Sequence, residues 1–399
     1  MVVRTLIPGV LVAVAWLGVS LPGCKDQSGP RLDAGEGVLA EGNSGLKRVG
    51  VLAEFALPDP GELILVSVAL KTKHLLFAID TGSSCWVFDK DLTAELGPPI
   101  DTTEVDTPFG TTVRNVYRAP NVALERATLG EGQRALVADL SALRKESRKD
   151  IRGIIGMSAL SKYCLYLDWN HGKGRILASG QAEREAWWAA IPLHYGNANT
   201  PYVSVDVEGV SAYNFLLDTG DVSEGSLANP FFERFVRDGN KTVRHSSTAN
   251  GDAVDKLSRF SLAIGGHTYN DMLLSASSRS TLGLAFLARH VVWIDFARGT
   301  LYLARRGDHD TLTPDGRSGL QCAVQEGRLV VAVVEPNSPA SYSGLLVGDE
   351  IVRLVGYDSG SLGLGRVKRI LAETGKEIIL DIVRDGRRRT VRFTVVKWV

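Results

Sequence analysis

The sequence predicts a mainly β chain in which one unit occurs twice, giving two lobes about a pseudo-two-fold axis, with a smaller α+β domain at the carboxyl end. Three observations predict it. Beyond residue 48 the chain runs as short alternating or continuously apolar stretches separated by turn residues, the pattern of strands rather than helices. Two blocks recur in the same order. "LVSVALKTKHLLFAIDTG" at 65–82 returns as "YVSVDVEGVSAYNFLLDTG" at 202–220, and "GIIGMSALSKYCLYLDW" at 153–169 returns as "STLGLAFLARHVVWIDF" at 280–296. Residues beyond 307 repeat neither block. They mix strand patterns with "LGRVKRILAETG", where Leu364, Lys368 and Leu371 follow helical spacing.

Length and composition bound the class. A chain of 399 residues, 44% apolar and 23% charged, has room for two or three globular domains. The 45 basic and 45 acidic residues cancel, so no global field draws in nucleic acid. The local run "RDGRRR" at 384–389 reads as a solvated hairpin turn around Asp385-Gly386. Seven histidines show no metal-ligand spacing, and no metal or cofactor is expected. His290 and His309 read as surface or satisfied core residues. Ser84 and Cys85 have no histidine at a recognisable spacing, so a covalent nucleophile is poorly supported.

The elements follow in order. Residues 1–24 place Arg4 before an apolar core and small residues before Cys24, the pattern of a secretory signal. "LPGC" resembles a bacterial lipobox, which implies lipidation at Cys24 and an exported protein anchored on the periplasmic or cell-surface side of a membrane. An uncleaved anchor helix is the other reading, since about 20 apolar residues span a bilayer. Residues 25–47 are polar and Gly-rich and read as a flexible tether. The first lobe is expected over 48–180, the second over 181–306 and the third domain over 307–399. After Cys24 there remain Cys85, Cys164 and Cys322. Cys85 and Cys164 fall in the same lobe and either pair or stay as buried thiols.

Each copy of the first block ends a hairpin in Asp-Thr-Gly. A strand-to-turn cap inherited by duplication would use the same residues. Two-fold packing gives them a chemical reading, because it brings Asp80 and Asp218 face to face. Two unit charges about 3 Å apart repel by roughly 5 kcal/mol at an effective dielectric near 20. One pKa unit is worth about 1.4 kcal/mol, so a proton stays on the pair well above the ordinary carboxyl range. The ionised member can take a proton from water while the protonated one donates to a carbonyl oxygen. Gly82 and Gly220 let backbone crowd the carboxylates. Thr81 and Thr219 can hydrogen-bond across the dyad, and Ser83 can donate to the outer oxygen of Asp80.

"FAIDTGSSCWVF" and "FLLDTG" resemble the two active-site loops of the pepsin-like aspartic proteases. "GIIG" and "TLGL" are similar to the segment that each lobe of that family threads behind its loop. The short lobes look closer to tandem retropepsin-like domains. The resemblance covers about 48–306 and implies bilobal aspartic-protease-like β-barrels whose cleft takes an extended polypeptide. It departs at Asp221, where the family has Ser, Thr or Ala. It departs also at the flap, whose candidate is "TPFGTT", with Phe109 before Gly110 in place of a tyrosine. Asp221 is expected to raise the proton affinity of the dyad unless it turns outward to a basic partner.

"NSPASYSGLLVGDEIVRLVG" at 337–356 resembles a bacterial PDZ domain. That likeness implies capture of an extended peptide or a C-terminal segment beside a sheet edge. Ser318, Gly319 and Leu320 match the carboxylate-holding loop, and Leu371 matches the groove helix. The sequence reading is therefore an exported aspartic endopeptidase with a peptide-binding module. A catalytically silent binding lipoprotein on the same scaffold is its alternative, and processing of a partner or of the chain's own tether is a third.

Overall fold

The computed structural model describes residues 50–107, 110–180, 188–196, 199–241, 243–247, 254–305 and 318–396. The signal, Cys24, the tether, Phe109 and His309 lie outside them. The fold is mainly β, as the alternating pattern requires.

In the first lobe the strands Leu65–Leu70 and Lys73–Ile79 form the expected hairpin, turning at Lys71 with a φ of 54°. The strand Ile151–Ile155 then returns parallel to Lys73–Ile79 and antiparallel to Trp86–Asp89. It passes between the two strands that flank the Asp80 turn. The second lobe repeats this arrangement. Its hairpin Pro201–Val207 with Val210–Leu217 turns at Glu208-Gly209. The strand Thr281–Leu282 lies parallel to Val210–Leu217 and antiparallel to Gly225–Ala228. Apolar alternation fixes the faces: Val66, Val68 and Leu70 are buried, as are Val203, Val205 and Val207. Trp86 is fully buried and stacks on Phe88.

The repeat did not announce that the copies share a sheet. Six strands run in the order Val51–Ala56, Lys173–Ala178, Tyr163–Asp168, His290–Asp295, Thr300–Arg305, Ala189–Pro192, three from each lobe. The central pair sets Tyr166 opposite Trp293, with ring centroids 5.4 Å apart. One hydrophobic core runs through both lobes beneath this sheet. Cys85 and Cys164 are separate buried thiols, so the pairing left open above does not form. Cys85 packs with Val87 and Leu136 behind the Asp80 turn, whereas Cys164 packs with Leu177 and Trp293 in the shared sheet. His290 is a satisfied core residue, bridging the Tyr269 hydroxyl and the Phe286 carbonyl.

The third domain has its own core. Its sheet has six antiparallel strands: five run Leu320–Gln325, Arg328–Val334, Glu350–Leu354, Glu377–Arg384, Arg387–Thr394, and the short Tyr357–Asp358 pairs with Glu350–Leu354. The helix Leu364–Ile370 occupies the stretch of helical spacing. Asp385 and Gly386, with φ of 51° and 72°, make the last hairpin turn. The domain is tied to the first lobe by an Arg369–Asp59 ion pair of 2.8 Å and by Arg148 donating to the Ser359 carbonyl at 2.8 Å.

Candidate active site

The two Asp-Thr-Gly turns meet at the lobe junction because each sits where a hairpin strand leaves its sheet. The Asp80 amide donates to Ile155 O and the Asp218 amide to Leu282 O, both at 3.0 Å, so the returning strand of each lobe pins its own turn. The threonines then lock the turns together. Thr81 Oγ1 donates to Leu217 O at 2.6 Å and accepts from the Thr219 amide at 3.1 Å. Thr219 Oγ1 donates to Ile79 O at 2.9 Å and accepts from the Thr81 amide at 3.0 Å. All four bonds are buried and reciprocal. Thr219→Val would orphan the Thr81 N–H and the Ile79 carbonyl together. It is expected to cost about 2–4 kcal/mol, read from denaturant melts, with a smaller loss for Thr219→Ser.

Each carboxyl is held by its own loop. Asp80 Oδ1 accepts from the Gly82 and Ser83 amides at 2.8 and 3.1 Å. Asp218 Oδ1 accepts from Gly220 and Asp221 at 2.9 and 3.2 Å. A Cβ on Gly82 would lie 2.5 Å from the Asp218 carboxyl, and one on Gly220 would lie 2.6 Å from that of Asp80. Only glycine lets each loop cross the opposite acid at that range. The two carboxyls are close enough to act on each other's ionisation. Burial pushes Asp80 up to about 6, against the pull of the Gly82 and Ser83 amides and the nearby charge of Arg279. Burial also raises Asp218 well above the carboxylate range, and the charges of Asp80 and Asp221 raise it further. The arrangement favours one proton shared on the pair.

Two details differ from expectation. The Ser83 hydroxyl donates to Cys85 O at 3.0 Å rather than to Asp80; only its amide reaches the acid. The loop folds back over itself there, which turns the hydroxyl away. Asp221 does not turn outward to a base. It is buried, accepting from the Ser223 amide at 2.9 Å and hydroxyl at 2.6 Å, and from Thr281 Oγ1 at 2.7 Å. Sequence reasoning missed Ser223 and Thr281 as its cage. The signal was present: Ser223 stands two residues on from Asp221, as Cys85 stands from Ser83. Arg279 was missed too: its counterpart in the repeat, Arg152, pairs with Asp91 and Asp150 instead.

Other candidates are placed as follows. Asp101–Thr107 and Gly110–Arg118 form the hairpin of the flap candidate, with Gly110 opening the second strand. In the third domain Ser318 Oγ accepts from the Leu320 amide at 3.1 Å, and Gly319 takes a φ of 70°. Leu371 caps the helix Leu364–Ile370 and is buried in that domain's core.

A family model for aspartyl proteases matches residues 66–159, which include Asp80, Thr81, Gly82 and the returning strand. The first lobe carries an aspartyl protease-like domain. Over 70 residues the chain is 31% identical to syntenin-2 of Mus musculus, 18% of this chain and 24% of that protein. It is 33% identical to syntenin-2 of Rattus norvegicus over the same length, again 24% of that protein. The chain thus spans about a quarter of the length of these curated relatives. This likeness is compatible with a PDZ-like portion.

Proposed function

We propose that this protein is an aspartic endopeptidase that hydrolyses peptide bonds with a water held between Asp80 and Asp218. The observation that carries it is the meeting of two buried acids whose loops support them in the same way, each acid crossed by the opposite loop's glycine. The ionised acid takes a proton from water as the oxygen attacks the peptide carbonyl. The protonated acid donates to the carbonyl oxygen, and a proton then passes to the leaving nitrogen. The third domain serves as a peptide-binding module beside its edge strand. On the sequence reading, the chain is exported and anchored through Cys24; a mass spectrum of the mature protein tests that.

The pH profile follows from the raised ionisations. The working form holds one proton on the pair, so activity is lost as pH rises through the upper ionisation. That falling limb is expected above pH 6, since burial already carries Asp80 to about 6 and Asp218 lies higher. Cleavage of an unfolded protein, measured as kcat/KM from pH 3 to 9, checks it. A fall centred at pH 4 to 5 would contradict the shared-proton assignment.

The buried Asp221 favours a second reading, a silent binding scaffold, because a third negative charge strengthens proton binding at Asp218. Binding of a pepstatin-like inhibitor that disappears in Asp218→Asn would argue against it.

A further inference from the structure

Between the first lobe and the third domain lies a cavity of about 530 Å³, within the range of ligand pockets. Leu57, Leu65 and Leu76 give it an apolar wall from the first lobe, and Val324 and Leu362 give one from the third domain. Arg148, just past the helix Ser141–Ser147, lines it with Lys149 and Arg366, together with the acids Glu62 and Asp59, the latter already paired with Arg369. Its Nη1 donates to Ser359 O at 2.8 Å, while Nε and Nη2 are buried with no hydrogen-bond partner among the described residues. A guanidinium that has lost water and gained one bond is an expensive arrangement, and a carboxylate is the group whose geometry matches its free edge. Residues of the catalytic lobes also face the cavity. Leu76 lies on the strand that ends at Asp80, and Val222 follows Asp221.

We propose that this cavity binds an extended peptide through an acidic side chain that Arg148 engages by turning its free edge inward. The source of the carboxylate follows from position. On the peptide-groove reading of the third domain, a terminal carboxylate goes to Ser318–Leu320. The cavity touches the opposite end of the same edge strand, at Val324. Four residues of extended chain, about 13 Å, separate the two ends. The partner is therefore a peptide with Asp or Glu near the fourth residue from its end and apolar neighbours. Its side chains would rest against Leu76 and Val222, in contact with both elements that carry the dyad.

The test uses the full-length chain carrying Asp80→Asn, so that the probe is not cut. Two labelled octapeptides with free carboxyl ends, rich in Val and Leu, differ only in Glu or Gln at the fourth residue from the end. The Glu peptide is expected to bind at least about tenfold tighter by fluorescence anisotropy. Adding Arg148→Met, which keeps the apolar stem, is expected to abolish that difference. Should that variant fold poorly, Arg148→Lys is expected to reduce the difference severalfold while melting normally. Equal binding of the two peptides, no binding of either, or a difference that survives Arg148→Met would overturn the proposal. So would an amidated probe whose loss of affinity vanishes in Arg148→Met, because that would put the terminal carboxylate on Arg148. The readout is independent of hydrolysis, so failure of the peptidase reading would leave it intact.

Discussion

Asp218→Asn is expected to reduce hydrolysis of a peptide substrate by about a thousandfold or more, at the upper end of what general acid–base groups contribute. An amide at this position cannot share the proton, yet it fills the same volume and can still accept from the Gly220 and Asp221 amides. The variant should therefore fold, and a second measurement separates chemistry from structure. A carboxyl whose native ionisation is raised binds its proton more tightly in the folded than in the unfolded chain. Its contribution to stability is complete below the unfolded value and lost as pH rises through the folded one. For Asp80 that window runs from the ordinary 3.8 to about 6; for Asp218 it extends higher. Asp218→Asn removes this penalty, so its melting temperature should exceed that of the wild type at pH 7.5 by more than at pH 4. Full activity in the variant would remove the dyad from the mechanism. A stability difference with no pH dependence would show that the pair carries no charge to relieve.

Gly156→Ala is expected to cost about 3 kcal/mol or more and to abolish activity with it. Gly156 passes directly behind the Asp80 loop, where an added Cβ would lie 2.2 Å from Cys85 O and 2.7 Å from Ser83 O. Both neighbours are backbone, so no side chain can swing aside. The Ser83 carbonyl also accepts from the Met157 amide at 2.8 Å, and the Ser84 carbonyl from Ser158 at 3.0 Å. Relief of the clash would break the bonds that support Asp80. Urea denaturation compared with the wild type would measure the cost, and a loss below about 1 kcal/mol would mean that the loop can retreat. The second lobe makes the same point independently. A Cβ on Gly283 would stand 2.3 Å from Ser223 O.

Much of this site could be read from residues alone because duplication writes each constraint twice. Asp-Thr-Gly after an apolar strand is ambiguous once; repeated at the same place in two matching hairpins, it fixes both acids, both threonines and both glycines. The shared sheet was hidden for the opposite reason. "CLYLDW" and "VVWIDF" read equally well as strands within their own lobes, and no pattern states that they pair with each other. Hydroxyl directions were equally hidden. Ser83 and Asp221 occupy equivalent positions, but whether a short polar side chain faces the acid or the loop behind it depends on local folding that residue type does not encode. Arg148 reads as an ordinary surface base in "LRKESRKD", and only packing against the third domain strips it of water.

The six-stranded sheet constrains how the polypeptide is made. Tyr163–Asp168 finds its neighbour His290–Asp295 only after the intervening chain has left the ribosome, on the order of ten seconds at ordinary elongation rates. Through that interval the strand offers an open edge to any passing chain, including another nascent copy. Folding of this molecule thus favours keeping the early half from premature partners until the late half arrives.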